Sequence, residues 1–516
     1  MKRIFNLLIA ATLACSQLGA NAATPAYNPN NLRTMFQNND AVIYALNIRT
    51  FNANDKNRDE IIDLDAGEES GTFLNAINRL DELQTLGINT VHLLPITPVG
   101  KIKATGTAGS LYAMSDFATL NPQLADQKSK LPLEQQAKLF VDECHKRNIK
   151  VIVDLPSCGS YDLYIKQPDL FILDRKQQPV VPADWTDVRI FKTVNSDGTI
   201  NQDLLDLHKK FVDLVVSIGA DGIRADVAPM KPYEFWVKLI KYARAKDPEF
   251  LFLAEASDSW TTPVSEYATY TDYKKLLQAG FDGYYGSYFN YKTWKCAGEL
   301  KKQVTLNQAI SKSYPDKKST IGSFATHDEV SPIIIGNEGL SEQIMWLDAT
   351  LPLNPYYVDG FISGDTYMYG YSNKKANKSY TDDDYYYVHK GKLDIFNFSR
   401  EPGGKSQNLV EKYYLTLKLR GYAHDVITKG NFKLLSTNNS KIWAYSRSYG
   451  GKTLIVILNK DKDEKQSSKI HIAGINTKQT ILPVRFTNTP KVKNGEIKVD
   501  LDPADSIILF IEDFKN

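Results

Sequence analysis

Between residues 41 and about 430, short apolar runs alternate with stretches whose apolar positions return every three or four residues. The runs at 151–154, 222–226, 250–255, 281–285 and 320–325, and a further one at Tyr356-Tyr357-Val358, are apolar at consecutive positions rather than at every second one. Such strands have both faces covered, as in a parallel sheet with helices outside and packed core within. The intervening stretches read as helices. In residues 72–86, Phe73, Leu74, Ile77, Leu80, Leu83 and Leu86 fall on one helical face. The sustained alternation predicts an α/β fold, a (β/α)8 barrel of the TIM type over residues 30–430. Two segments break the pattern. Residues 156–205 are too long for a simple loop and carry Pro179, Pro182, Trp185 and an Asn195-Ser196-Asp197-Gly198 turn signal. Residues 431–516 hold strand-like runs at 442–445, 453–458 and 506–511 separated by polar turns.

Barrels of this kind carry their chemistry at the C-terminal ends of the strands. Three of the predicted strands end there in an acid or its helpers: Gly222-Ile223-Arg224-Ala225-Asp226, Phe252-Leu253-Ala254-Glu255 and Phe324-Ala325-Thr326-His327-Asp328. One strand-terminal acid is commonplace. Three in this order match what cleavage of a glycosidic bond requires: a carboxylate to attack a sugar carbon, a second to protonate the departing oxygen, and polar groups to steady an oxocarbenium-like transition state.

These segments resemble the second, third and fourth signature regions of the α-amylase superfamily, glycoside hydrolase family 13, and the similarity runs through nearly all of the chain after about residue 40. The resemblance implies Asp226 as nucleophile, Glu255 as acid and then base, and Asp328 as stabiliser of the transition state. It implies Arg224 as the cation orienting the nucleophile and His327 as a hydrogen-bond partner of the sugar. Residues 41–49 and 86–95 are similar to the first two barrel strands. Ser110-Leu111-Tyr112-Ala113-Met114-Ser115-Asp116-Phe117 resembles the loop whose Tyr, here Tyr112, stacks under the sugar ring. By the same likeness, residues 156–205 form a small inserted subdomain after the third strand, and residues 431–516 an antiparallel β-sandwich.

The string Asp55-Lys56-Asn57-Arg58-Asp59-Glu60-Ile61-Ile62-Asp63 alternates oxygen donors, as a calcium loop does. It resembles the calcium loop of the oligo-1,6-glucosidase branch, which implies structural Ca2+ held by the side chains of Asp55, Asn57, Asp59 and Asp63 and by the carbonyl of Ile61. The first signature region departs from the family. Asp154 is present, but Cys158 and Gly159 stand where Asn and His are usual, which implies loss of a second metal site and a weaker grip on the sugar. Asp154 and Lys231 complete the expected substrate-binding set. The segment Lys231-Pro232-Tyr233-Glu234-Phe235-Trp236 is also similar to maltosyltransferases that extend glucans from maltose 1-phosphate, although His327 is absent from those enzymes. The expected activity is therefore retaining hydrolysis of α-glucans such as starch, glycogen or malto-oligosaccharides. Transfer to a second sugar is the alternative, and a non-catalytic glucan-binding protein the more distant one.

Composition narrows the partners. With 62 basic and 60 acidic residues, the net charge of +2 gives no electrostatic case for nucleic acid. Lys2 and Arg3 precede an apolar run at 4–14, and Ala20-Asn21-Ala22 offers a small-residue cleavage site, so residues 1–22 read as a signal peptide. That run is too short to span a bilayer, and a secreted or periplasmic location follows. Thr12-Leu13-Ala14-Cys15 carries a weaker lipoprotein-like signal at Cys15. Past Ala22 remain Cys144, Cys158 and Cys296, an odd number that leaves at least one thiol unpaired within the chain.

Overall fold

The structure, a computed structural model, describes residues 31–512 apart from 57–61, 64, 105–108, 184, 366–405, 476–480 and 494. Residues 1–22, read above as a signal peptide and including Cys15, and the loop residues Asn57, Asp59 and Ile61 lie outside the described residues.

Eight parallel strands form the barrel wall: β1 (Ile43–Leu46), β2 (Thr90–Leu93), β3 (Lys150–Leu155), and, after the short inserted strands β4 (Gly159–Ser160) and β5 (Val188–Arg189), β6 (Gly222–Ala225), β7 (Leu251–Ala254), β8 (Gly283–Tyr284), β9 (Ser319–Thr320) and β10 (Tyr356–Val358). The sheet order is β10-β1-β2-β3-β6-β7-β8-β9, and a parallel bridge between Ile321 and Asn354 joins its two ends. At that seam the amide of Gly322 donates to the Asn354 carbonyl at 2.8 Å and the amide of Asn354 to the Thr320 carbonyl at 2.9 Å. A Cβ on Gly322 would sit 1.5 Å from Asp348 Oδ1, so the seam closes only with glycine there.

The strands lie where the apolar runs predict, with two differences. Of the 320–325 region only Thr320 belongs to a strand, the two-residue β9 that it forms with Ser319. Beyond the Ile321 bridge the chain coils, and Phe324 is apolar because its ring packs 4.9 Å from Tyr288 and 5.6 Å from Tyr291. The single helix expected over 72–86 is divided into Phe73–Ala76, a 3-10 turn at Ile77–Arg79, and Leu80–Thr85. The break falls where Arg79 turns into the core. Its guanidinium lies 3.8 Å from the centroid of the Phe51 ring and 3.2 Å from Asp359.

The C-terminal unit has two antiparallel sheets. One contains β11 (Asn431–Leu434), β13 (Ile442–Tyr449), β14 (Lys452–Asn459), β16 (Ile481–Arg485) and β19 (Ser506–Ile511). The other contains β12 (Ser436–Thr437), β15 (Gln466–His471), β17 (Lys491–Lys493) and β18 (Glu496–Leu501). Ile455, Ile457, Ile507 and Leu509 pack with Ile470, Ile497 and Val499 between the sheets, whereas Trp443, Tyr445, Val456 and Phe510 join the barrel core. Both faces of the first sheet are thus buried, which explains antiparallel strands that read as continuous apolar runs.

The helix Gln407–Tyr422 fastens the seam. From it, Arg420, 5% exposed, donates to the carbonyls of Asp348, Ala349, Leu353 and Asn39, all of which lie on the segments feeding β10 and β1. Replacing Arg420 with Ala leaves those carbonyls without their donor, and unfolding stability should fall by about 3 kcal/mol or more. Urea denaturation of the two proteins measures the change.

Candidate active site

Ala225 and Ala254 are register partners on adjacent parallel strands, so Asp226 and Glu255 leave the barrel at the same level. Neighbouring strands lie about 4.8 Å apart, and the two side chains share one gap. They also share one cation. Arg224, 0% exposed, points into the barrel from β6; its Nη1 lies 3.0 Å from Asp226 Oδ1 and its Nη2 2.9 Å from Glu255 Oε2. Nη1 also donates to both oxygens of Asp154, at 2.8 and 3.0 Å, and Nε donates to the Tyr285 hydroxyl at 3.1 Å.

Asp154 anchors a second layer. It accepts from the Tyr112 hydroxyl at 2.6 Å and lies 3.2 Å from His92 Nε2. With its proton committed to Asp154, the Tyr112 hydroxyl accepts from His327 Nε2 at 2.8 Å, and the two rings lie 1° from parallel. His92 in turn meets the Tyr356 hydroxyl at 3.0 Å. Burial opposes ionisation of Asp154, yet Arg224 and the His92 hydrogen bond outweigh it and hold the carboxyl at about 2. Burial, reinforced by Arg224, keeps His327 neutral with a pKa well below the usual imidazole value, and His92 is lowered by burial too.

The two remaining acids move the other way. Burial pushes Glu255 well above the usual carboxylate range; Arg224 opposes this, while Asp226 and Asp328 add to it. Asp328, whose side chain keeps 34% exposure on the cleft, is raised to about 7 by desolvation, against Arg224 and with Asp226 and Asp154. One guanidinium facing several carboxylates cannot neutralise them all, and like charges in a desolvated site push protons onto the least favoured acid. Glu255 is therefore the group set up to hold a proton, and it accepts a 2.7 Å hydrogen bond from the amide of Val227. Val227 adopts φ +31°, ψ +55°, a left-handed conformation that is strained for a β-branched residue.

Tyr112, Asp226, Glu255 and Asp328 line one cavity of about 630 Å3, a size suited to a bound small molecule. Arg224, His327, Asp154 and Lys231 are each 0–1% exposed and lie beneath that surface, so these four support its wall. Lys231, expected to touch substrate, instead donates to the Ser157 carbonyl at 3.1 Å, and burial lowers its pKa to about 8. Ser157 was not foreseen. Its amide and hydroxyl both donate to Asp226 Oδ2, at 2.9 and 2.7 Å. The sequence signal was its place three residues after Asp154, in the segment that departs from the family.

That departure has a packing reason. Cys158, 3% exposed, packs with Ala113, Val188, Val227 and Met230, and burial drives its thiol up to about 12. A Cβ at Gly159 would meet the rings of Phe171 at 2.8 Å and Phe191 at 2.9 Å.

Of the loop expected to bind calcium, Asp55 and Asp63 are described. Asp63 Oδ1 accepts from the amides of Asp65 and Ala66, and buried Glu68 accepts from the amides of Lys56 and Asp63, clamping the ends of the loop. Glu68 was not anticipated. Among the described residues, no group of three His, Cys, Asp or Glu is placed to hold a metal ion.

The chain is 24% identical over 419 residues to an α-1,4-glucan:maltose-1-phosphate maltosyltransferase from Myxococcus xanthus, covering 79% of this chain and 58% of the relative. It is 25% identical over 246 residues to a cyclomaltodextrinase from Thermoanaerobacter pseudethanolicus, covering 42% of this chain and 39% of that one. Its fold matches the crystal structure of an α-amylase from Lactobacillus plantarum with a TM-score of 0.68 at 18% identity, over 92% of this chain and 99% of that one. Its homologues and structural neighbours are α-amylase-family enzymes. No protein-family profile matches the chain.

Within that family resemblance, the first region cannot be restored by one substitution. Gly159→His forces a large side chain against Phe171 and Phe191, and it should destabilise the fold by about 2 kcal/mol without raising activity. Thermal denaturation and glucan turnover of the variant measure both.

Proposed function

We propose that the chain is a retaining α-glucan hydrolase in which Asp226 and Glu255 carry the covalent chemistry. The observation supporting this most directly is that both carboxylates leave adjacent strands at one level and grip a single buried guanidinium. Retaining chemistry wants about 5–5.5 Å between such groups. In the first step Asp226 attacks the anomeric carbon while Glu255 gives its proton to the departing glycosidic oxygen. In the second, Glu255 takes a proton from water, and that water displaces Asp226 from the sugar. Arg224 and Ser157 fix the orientation of Asp226, and the burial that keeps Glu255 protonated suits it to act as the acid. Asp328 hydrogen-bonds the sugar hydroxyls, and Tyr112, anchored by Asp154 and His327, is the platform on which the sugar ring stacks.

A second reading, transfer of the glycosyl group to a sugar hydroxyl, is favoured by the relatives named as maltosyltransferases. It shares the first step and differs only in what resolves the intermediate.

Two further assignments rest on the sequence. Residues 1–22 direct export, giving a secreted or periplasmic protein; among the described residues no helix is long and apolar enough to cross a membrane. Ca2+ is held by Asp55, Asn57, Asp59, Asp63 and the Ile61 carbonyl. The all-oxygen donor set fits this ion, and the Glu68 clamp brings the ends of the loop together. Its role is structural.

Asp226→Asn should reduce kcat on maltopentaose by roughly 10⁴-fold or more with the melting temperature preserved, while wild-type enzyme releases its first product as the α-anomer by NMR. Because Glu255 must hold its proton to act, kcat/KM should fall only as pH rises through a value above the ordinary carboxylate range. A basic limb near the pKa of a free glutamate, or a β-anomer, would reject the assignment. Removing Ca2+ with EDTA should lower the melting temperature, and adding it back should restore it, with KM on maltopentaose little changed; a melting temperature insensitive to EDTA contradicts the calcium loop.

A further inference from the structure

Asp226 and Glu255 each follow directly on a paired barrel strand, but Asp328 does not. Past the Ile321 bridge its segment is coil, so strand pairing does not place it and contacts with neighbouring elements must. Those neighbours lie in the loop after β8, where the 3-10 turn Tyr288–Lys292 faces the Asp328 coil on one side and the C-terminal unit on the other.

On the coil side, the Tyr288 and Tyr291 rings pack on Phe324, and the Ser323 hydroxyl donates to the Tyr285 carbonyl at 2.9 Å. Lys292 forms an ion pair with Glu329, the residue next to Asp328. The two side chains are 15% and 21% exposed, so solvent ions screen this pair less than an open surface one.

On the other side, Lys460, which follows β14, donates to the Tyr291 carbonyl at 2.9 Å, and its ammonium lies 3.8 Å from the centroid of the Tyr291 ring. The same ring meets Trp443 of β13 edge-on at 5.9 Å. The Tyr291 hydroxyl donates to Gln343, on the helix Pro332–Thr350 that the coil enters, and the Gln343 side-chain amide donates to the Asn459 carbonyl at 3.0 Å. The sandwich thus grips Tyr291 by its carbonyl, its ring and, through Gln343, its hydroxyl. Fixing the peptide between Tyr291 and Lys292 fixes the base of the side chain that holds Glu329. Among the described residues, the cavity is lined by Asp328 and not by Tyr291, Lys292, Glu329 or Lys460, so any effect of these four on a bound sugar is indirect.

We propose that Lys460, Tyr291, Lys292 and Glu329 are positioning residues through which the C-terminal sandwich sets the carboxyl group of Asp328 in the cleft. This rests on the reading of Asp328 as stabiliser of the transition state, and it makes the sandwich part of the catalytic apparatus.

The probe is acarbose, whose unsaturated, protonated end mimics an oxocarbenium-like transition state. Its dissociation constant is measured by calorimetry on the full chain, with the melting temperature of each variant alongside. Asp328→Asn should weaken binding by about a hundredfold or more. Lys460→Met and Lys292→Met should each weaken it about tenfold in the wild-type background and less than about twofold in the Asp328→Asn background, because a residue that acts through Asp328 loses its effect once that carboxyl group is replaced. A merely structural contribution would cost the same in both backgrounds. Unchanged affinity in either lysine variant, or an equal loss in both backgrounds, overturns the relay. Lys292 lies outside the sandwich, so its variant keeps the test decisive should Lys460→Met fail to fold. If wild type does not bind acarbose, or Asp328→Asn binds it equally well, the reading of Asp328 fails and the relay with it; if Asp328→Asn loses binding while the lysine variants retain it, the relay alone falls.

Discussion

One buried guanidinium organises the site. Arg224 is fully enclosed, and it touches Asp154, Asp226 and Glu255 at 2.8–3.0 Å. A cation so placed is costly unless it is surrounded by partners, and the barrel supplies them from adjacent strands, β3 to one side and β7 to the other. The resulting excess of carboxylates over cations then sorts the acids by environment. Asp154, with Arg224 and His92 both at hand, stays ionised; Glu255, more weakly served, is raised. Division of labour among chemically similar side chains thus follows from how a single positive charge is shared.

Much of this was legible in the chain because parallel barrel strands are short, apolar on both faces and end at the functional rim. The positions of Arg224, Asp226 and Glu255 followed from that rule and from family resemblance; Asp328, in the coil beyond β9, followed from the resemblance alone. What escaped was of another kind. Ser157 donates to a carboxylate 69 residues away and Glu68 accepts from the amides of its own loop, and polar residues in loops carry no periodic signal. Lys231 was placed near the chemistry but not behind it, because sequence spacing does not say which way a long side chain turns. The helix break at Arg79 was hidden for a similar reason: its cause, Asp359, lies 280 residues away. Apolarity at Phe324 and Ala325 signalled burial and was read as strand, which periodicity cannot separate over so short a run.

The altered first region shows how a departure from a family pattern can be absorbed. Gly159 leaves room for Phe171 and Phe191, Cys158 fills an apolar pocket, and Ser157 takes hold of Asp226 through two donors. Lys231 secures the carbonyl of that same serine. The substitutions therefore form a connected set, in which reverting one position leaves the others mismatched.

The twisted peptide after Asp226 has a mechanical implication. Val227 follows Asp226 in the chain, and its amide is bonded to Glu255. A displacement of Asp226 is therefore coupled to Glu255 through one peptide and one hydrogen bond, instead of through two independently positioned loops. The steric cost carried at that valine is what aims its amide at the neighbouring strand's carboxylate.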